Sequence, residues 1–312
     1  MEFFKNPSIN FVGGMKPAFS ASAFLVLLSI VLMLIHGGPR LSIDFTGGTV
    51  LQVKVAPAPA VQDIRSALEA RGYQGVQVTG FGSSDEFLIT FTAPEVAEGE
   101  EVATLDAAQL LLNELREGLA GADIELRRQE SVGPKIGGEL RTAAANSIVV
   151  ALALIVLYIT FRFIFRYGVA AIMALVHDVT LTLGIFSLMD FEVSLSIIAA
   201  FLTIIGYSLN DTIVVFDRIR ENMKTRRKET YREVVNRSIN ECLSRTVLTS
   251  VTTFFVAATL YVVGGPVIHD FAFALCFGVV VGTYSSMFIA ATVLVWWSER
   301  GRNDSQRAVA DM

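Results

Sequence analysis

The chain has 312 residues, 53% of them hydrophobic and 18% charged, with a formal net charge of −5 and a mean hydropathy of +0.54. Soluble domains carry about 25% charge, and in water a chain of this length would form roughly two of them. Low charge with positive hydropathy excludes a soluble enzyme and points to lipid as the solvent.

Six stretches nearly free of charge have spanning length: 18–35, 142–161, 167–189, 193–216, 246–268 and 271–298. About 20 helical residues cross a hydrocarbon core of about 30 Å, so each predicts a transmembrane helix. The first has basic flanks, Lys5 and Lys16, as a secretory signal does, but His36-Gly37-Gly38-Pro39-Arg40 is a poor cleavage site and the helix is expected to be retained. The predicted organisation is a tail 1–17, a first span 18–36, a domain 37–141, a five-helix bundle 142–298 with a loop 217–244, and a tail 299–312.

Loop charges orient these segments. Segment 36–141 holds 16 acidic and 9 basic residues, whereas Arg162 and Arg166, eight Lys/Arg between Arg218 and Arg237, and Arg300, Arg302 and Arg307 fall in other loops. The short loops near Asp190 and Gly264–Asp270 carry no Lys or Arg. The positive-inside rule then predicts cytoplasmic termini and an exterior 37–141. Cys242 and Cys276 lie outside that domain, so it must be held by its own core.

Within the exterior segment, Leu51, Val53 and Val55 alternate with Gln52 and Lys54, which predicts a half-buried strand. A helix follows Pro59 with Val61, Ile64 and Leu68 at helical spacing. Strands follow at Val76–Val78 and Phe87–Phe91, then a helix presenting Ala108, Leu111, Leu112, Leu115 and Leu119, then a strand at Ile124 and Leu126. The order β-α-β-β-α-β predicts a ferredoxin-like α+β sandwich, a fold that does not by itself specify function. Gly47-Gly48 reads as a tight bend where helix becomes strand, and Gly133-Pro134 with Gly137-Gly138 as a pliable link into the second span. The acidic run Glu95–Glu101 reads as a solvated loop. The domain has no metal-spaced His/Cys set and no Walker loop.

Ionisable groups inside the spans carry the functional signal. At mid-membrane each costs about 2.5–3.5 kcal/mol, so such residues pair or line a polar path. His177-Asp178 falls in the third span, Asn210-Asp211 in the fourth, and Arg245 opens the fifth. Tyr207, Asp211, Val215 and Arg218 share one helical stripe, and Arg245, Thr249, Thr252 and Thr253 another. Turned toward each other, these stripes would pair a carboxylate with a guanidinium. That pair is either a structural register lock or an ion-coupling site, because a carboxylate alternating between paired and unpaired states takes up and releases a proton. His177-Asp178 reads equally as a relay or a packing contact. Gly206 reads as a packing position, and Gly278-x-x-x-Gly282 as a small-residue face for close helix approach. Residues 226–241 fit an amphipathic helix on anionic headgroups, and their mixed charge speaks against nucleic acid.

The strings Ile43-Asp44-Phe45-Thr46-Gly47-Gly48, Val132-Gly133-Pro134-Lys135-Ile136-Gly137 and Ala174-Leu175-Val176-His177-Asp178-Val179 resemble those of the SecF family. So do Gly206-Tyr207-Ser208-Leu209-Asn210-Asp211-Thr212 running to Asn222, Leu243-Ser244-Arg245-Thr246, and Gly282-Thr283-Tyr284-Ser285-Ser286. The likeness runs in order from about Ile9 to Trp297. It implies a polytopic α-helical protein of the bacterial cytoplasmic membrane, of resistance–nodulation–division type, with a ferredoxin-like exterior domain between its first two spans. It further implies pairing with SecD into a pseudo-symmetric SecDF unit, association with the SecYEG channel, and help to secretory preproteins after the ATP-dependent stage. Asp211 and Arg245 fall on the family's ion-transport residues. No cofactor is implied beyond the transported ion, H⁺ or Na⁺, which one carboxylate does not distinguish. A small-molecule or lipid exporter half of the same superfamily is the main alternative, although the exterior segment is small for a substrate funnel. An intramembrane protease fits less well, since no serine is matched to His177 and only Asp178 with Asp211 could form a dyad.

Overall fold

The computed structural model describes residues 7–73, 76–91, 101–119, 121–226 and 228–310, with backbone alone for 101–107 and 301–310. Lys5, most of the acidic run at 95–101 and the side chains of Arg302 and Arg307 therefore lie outside the described residues. The chain divides into two compact units, 41–146 and the remainder.

The smaller unit is an α+β sandwich. After the long first helix α1 (Phe11–Ile35), it comprises a single helical turn α2 (Ile43–Thr46), β1 (Gly48–Ala56), α3 (Val61–Glu69), β2 (Gln77–Phe81), β3 (Ser83–Phe91), α4 (Glu101–Gly118) and β4 (Asp123–Val132). The sheet order is β2-β3-β1-β4, antiparallel throughout, which is the ferredoxin-like arrangement expected from the sequence. In the register, Leu51 of β1 lies opposite Ile89 of β3. Leu51, Val53 and Val55 are fully buried with Ile64, Leu68, Phe87, Ile89, Leu111 and Leu115. Alternation in β1 thus sets the face that receives both helices, and their apolar stripes close the core.

Gly47 and Gly48 make the bend from α2 into β1, with φ of 73° and 134°, in the left-handed region that L side chains avoid. A Cβ on Gly47 would lie 2.8 Å from Pro134 Cα, and one on Gly137 would lie 2.9 Å from Gly47 N. This corrects the pliable link. Pro134 starts α5 (Pro134–Arg162), and both Gly137 and Gly138 lie inside it. Proline suits a helix start because the N–H it lacks would have no partner there, while Gly137 lets the helix touch the Gly47 bend.

The larger unit is a helix bundle: α1, the end of α5, α6 (Phe165–Leu188), α7 (Leu195–Thr225), α8 (Tyr231–Val263), α9 (Pro266–Ser285), a π-helical turn (Ser286–Ala290) and α10 (Ala291–Ala310). Among the described residues, six helical segments are long and apolar enough to cross a membrane, the sixth running from α9 into α10. The sequence runs matched these helices but not their ends: most helices start earlier or run further, whereas 193 precedes the start of α7 and 268 overruns the end of α8 at Val263. The first helix starts at Phe11 rather than 18, capped by Asn10, whose side chain accepts from Gly13 N at 2.8 Å. The π turn had no counterpart in the sequence reading.

The largest departure is at 217–244, read as a loop with a separate surface helix. α7 continues to Thr225 and α8 starts at Tyr231, so only a short connection remains. Thr230 and Glu233 cap α8 reciprocally. The apolar face of residues 226–241 is turned into the protein: Val234, Val235 and Ile239 are buried, and Asn236 and Asn240 bond the backbone of Ile9 at 3.1 and 2.8 Å. Its charges are partly matched within the chain, as Arg218 binds Glu241 at 2.6 Å. A face already covered by protein does not lie on headgroups.

Candidate functional site: two buried carboxylates

α9 lies close against α7 because two of its residues lack side chains. A Cβ on Gly278 would come within 2.4 Å of Ile204, and one on Gly282 within 3.0 Å of Ser208. Both glycines are packing positions, as their spacing suggested. Gly206 is not. It is exposed, and an added Cβ would meet nothing within 4 Å. The reason is helical phase: Ser208, Asp211, Thr212 and Val215 turn α7 inward, whereas Thr203, Gly206 and Asn210 lie on its opposite, exposed face.

The close approach assembles the first carboxylate. Asp178 of α6 is 1% exposed. Its Oδ2 accepts from Ser208 Oγ of α7 at 2.5 Å and from Ser285 Oγ of α9 at 2.8 Å. Its Oδ1 lies 2.9 Å from His177 Nδ1. Asp178 therefore ties three helices together. His177 is buried too, and its Nε2 has no hydrogen-bond partner.

The second carboxylate is differently furnished. Asp211 is 3% exposed, yet among the described residues its one side-chain partner is Ser250 Oγ of α8, donating to Oδ2 at 3.4 Å. Ser250 in turn accepts from Tyr207 OH at 3.1 Å and lies 2.6 Å from Thr283 Oγ1 of α9. Thr283 also reaches Val279 O at 2.7 Å.

The expected Asp211–Arg245 pair is not formed among the described residues. Arg245 is exposed, although it stays within electrostatic reach of Asp211. The cause is again phase. Ser250 faces Asp211, and five residues at about 100° each place Arg245 about 140° away round α8. Thr249, Thr252 and Thr253 are not turned to Asp211 either; their hydroxyls bond α8 carbonyls at 3.0, 2.9 and 2.9 Å. Asn210, exposed on α7, is likewise not at the carboxylate. Arg245, Asn210, Gly206 and Thr252 are instead all exposed.

The site residues that the sequence reading missed are Ser208, Ser250, Thr283 and Ser285. The usable signal was that a buried carboxylate in an apolar span needs donors from neighbouring helices.

Six apolar helices with an α+β domain inserted after the first, and two carboxylates buried between central helices, define a polytopic membrane protein with a polar interior. Residues 113–300 match the family described as protein export membrane protein SecD/SecF, C-terminal, and residues 33–59 match the SecD/SecF GG motif. The chain is 46% identical to protein translocase subunit SecF of Desulfurispirillum indicum over 91% of its own length and 90% of that protein. It is 42% identical to the SecF subunit of Vibrio alginolyticus, covering 92% and 89% of the two chains. The crystal structure of SecDF from Thermus thermophilus, a translocon-associated membrane protein, superposes with a TM-score of 0.82 at 40% identity, over 94% of this chain and 39% of that one. A second SecDF structure, in a super-membrane-facing form, gives 0.71 at 39% identity over 98% and 41%. The chain belongs to the SecF family of protein translocase subunits. It spans about two fifths of the SecDF chains it resembles.

Proposed function

We propose that this chain is the SecF half of a SecDF-type accessory unit of the Sec translocase, using an ion gradient to promote late stages of preprotein export. Both termini face the cytoplasm and the α+β domain faces outward, next to the SecYEG channel. A SecD-type chain covers the exposed polar surface of α7 and α8, bringing Arg245 and Asn210 into a shared interior. The role is transport rather than catalysis.

One observation carries the proposal: Asp211, a carboxylate buried in a spanning helix with a single hydrogen bond of 3.4 Å. A charge so poorly satisfied in a low-dielectric setting is expensive to keep, and neutralising it with a proton or Na⁺ is the readiest relief. One elementary charge moved through 100 mV releases about 2.3 kcal/mol, enough to drive a conformational equilibrium more than tenfold.

The test is export by inverted membrane vesicles under an imposed proton or sodium gradient. Asp211→Asn should assemble and lose the gradient-dependent component, and adding Arg245→Met should not restore it, since amide cannot titrate. Wild-type gradient dependence in Asp211→Asn would refute the proposal. Rescue by the double change would leave only a structural ion pair.

A further inference from the structure

We propose that Ser250 and Thr283 are positioning residues for Asp211, forming a hydroxyl switch whose direction reverses when Asp211 takes up a proton. This rests on the ion-coupling reading above and specifies how the site tells the neighbouring helices that it is loaded.

The inference follows from counting protons. Ser250 Oγ has one hydrogen and two lone pairs, and three neighbours: Tyr207 OH at 3.1 Å, Thr283 Oγ1 at 2.6 Å and Asp211 Oδ2 at 3.4 Å. Tyr207 donates. With Asp211 ionised, Thr283 donates to Ser250 and Ser250 donates to the carboxylate. With Asp211 protonated, its new O–H donates to Ser250, Ser250 donates to Thr283, and Thr283 donates to Val279 O at 2.7 Å. Both arrangements use every hydrogen and overfill no lone pair. One added proton, drawn from water, thus turns two hydroxyls while Tyr207 stays fixed.

The switch crosses helices. Asp211 and Tyr207 sit on α7, Ser250 on α8 and Thr283 on α9. The two bonds that reverse, Asp211–Ser250 and Ser250–Thr283, each join different helices, so the reversal re-orients bonds between helices. Tyr207 and Val279, the two ends of the chain, also line a narrow cavity between these helices with Thr203, Thr253 and Leu275. The charged and titratable groups of α8 within electrostatic reach of Asp211 are Cys242 and, turned away from it, Arg245. From α6 the nearest are His177 and Asp178, held one turn away through Ser208. α9 presents hydroxyls: its Tyr284 turns to Ala18 O and Ser22 of α1.

The experiment compares wild type, Ser250→Ala, Ser250→Thr, Thr283→Val and Asp211→Asn in vesicles carrying the complete export complex. The readout is gradient-driven export as a function of pH. Losing Ser250 costs the ionised carboxylate a charge-assisted bond and the protonated form only a neutral one. The pH midpoint should therefore rise by about one unit. Thr283→Val should shift it the same way by less, and Ser250→Thr should return it to the wild-type value. An unchanged midpoint in both Ser250→Ala and Thr283→Val, or a uniformly lower rate with no shift, overturns the switch while leaving Asp211 as the coupling residue. Retained gradient dependence in Asp211→Asn overturns the ion-coupling reading and the switch with it. If Ser250→Ala fails to assemble, Thr283→Val, which keeps the side-chain shape, decides alone.

Discussion

Asp178 offers the sharpest separation of a structural carboxylate from a titrating one. Replacing it with alanine removes the acceptor of Ser208 Oγ and Ser285 Oγ and the partner of His177 Nδ1. Ser285 has a fallback, since it already reaches Gly282 O at 3.1 Å. Among the described residues Ser208 Oγ and His177 Nδ1 make no second bond, and both residues are buried. Each orphaned polar group costs about 1–3 kcal/mol, so Asp178→Ala should lose about 2–6 kcal/mol before any cavity is counted. Asp178→Asn can keep all three contacts, with its carbonyl oxygen toward the serines and its NH₂ toward an unprotonated His177 Nδ1. Its cost should stay below about 1.5 kcal/mol. The assays are unfolding of the purified chain with its partner in mixed detergent, and gradient-driven export in vesicles. The expected result is a marked loss of stability in the alanine variant, with near-wild-type stability and export in the asparagine variant. An asparagine variant that folds normally yet loses gradient dependence would show that Asp178 titrates in the cycle and refute the structural assignment.

Packing at α9 gives a contrasting pair of substitutions. Gly278→Val would drive side-chain atoms into Ile204, already 2.4 Å from the modest Cβ position, and should cost about 1–3 kcal/mol in unfolding assays; Gly206→Ala, with open space around it, should leave the stability of the chain unchanged. Gly47→Val meets both a φ of 73° and the Pro134 backbone at 2.8 Å, so the α+β domain should become protease-sensitive while the bundle still inserts. For orientation, single cysteines at Ser84 and Ser194 should label from outside intact cells, and one at Thr225 only after permeabilisation; labelling of Thr225 in intact cells would reverse the loop-charge assignment.

The α+β domain was legible because β1 has one buried face, so its period of two is written in Leu51, Val53 and Val55 against Gln52 and Lys54. Asp211 and Asp178 were legible because charge in an apolar run stands out. Their partners were not, since a serine or threonine in a spanning helix can satisfy itself on its own backbone. Thr249 and Thr252 do so, while Ser250 between them turns to Asp211. Only packing decides which hydroxyl is diverted. The same limit misled the stripe containing Arg245. A stripe fixes which residues point together and leaves open what they point at. Residues 226–241 misled for another reason: an amphipathic pattern does not say whether lipid or protein covers the helix, and here Asn236 and Asn240 are satisfied by the backbone of Ile9. Pro134 and Gly137 carry breaker signals that are equally the signals of a helix start and of close approach.

The two carboxylates differ most in how many donors hold them, and that difference motivates the separate roles proposed for them. Asp178 has two hydroxyl donors and a histidine, spread over α6, α7 and α9, so a new proton on Oδ2 would displace a bond that holds helices together. Asp211 has one long bond to a hydroxyl that is equally able to accept, so a proton there reorganises bonds without subtracting any. Ser208, clamped by Asp178, lies on the same face of α7 and three residues before Asp211, with Gly282 of α9 pressed against it. A switch works only if something nearby does not move. In the proposed cycle the Asp178 clamp would supply that fixed point, one turn from Asp211.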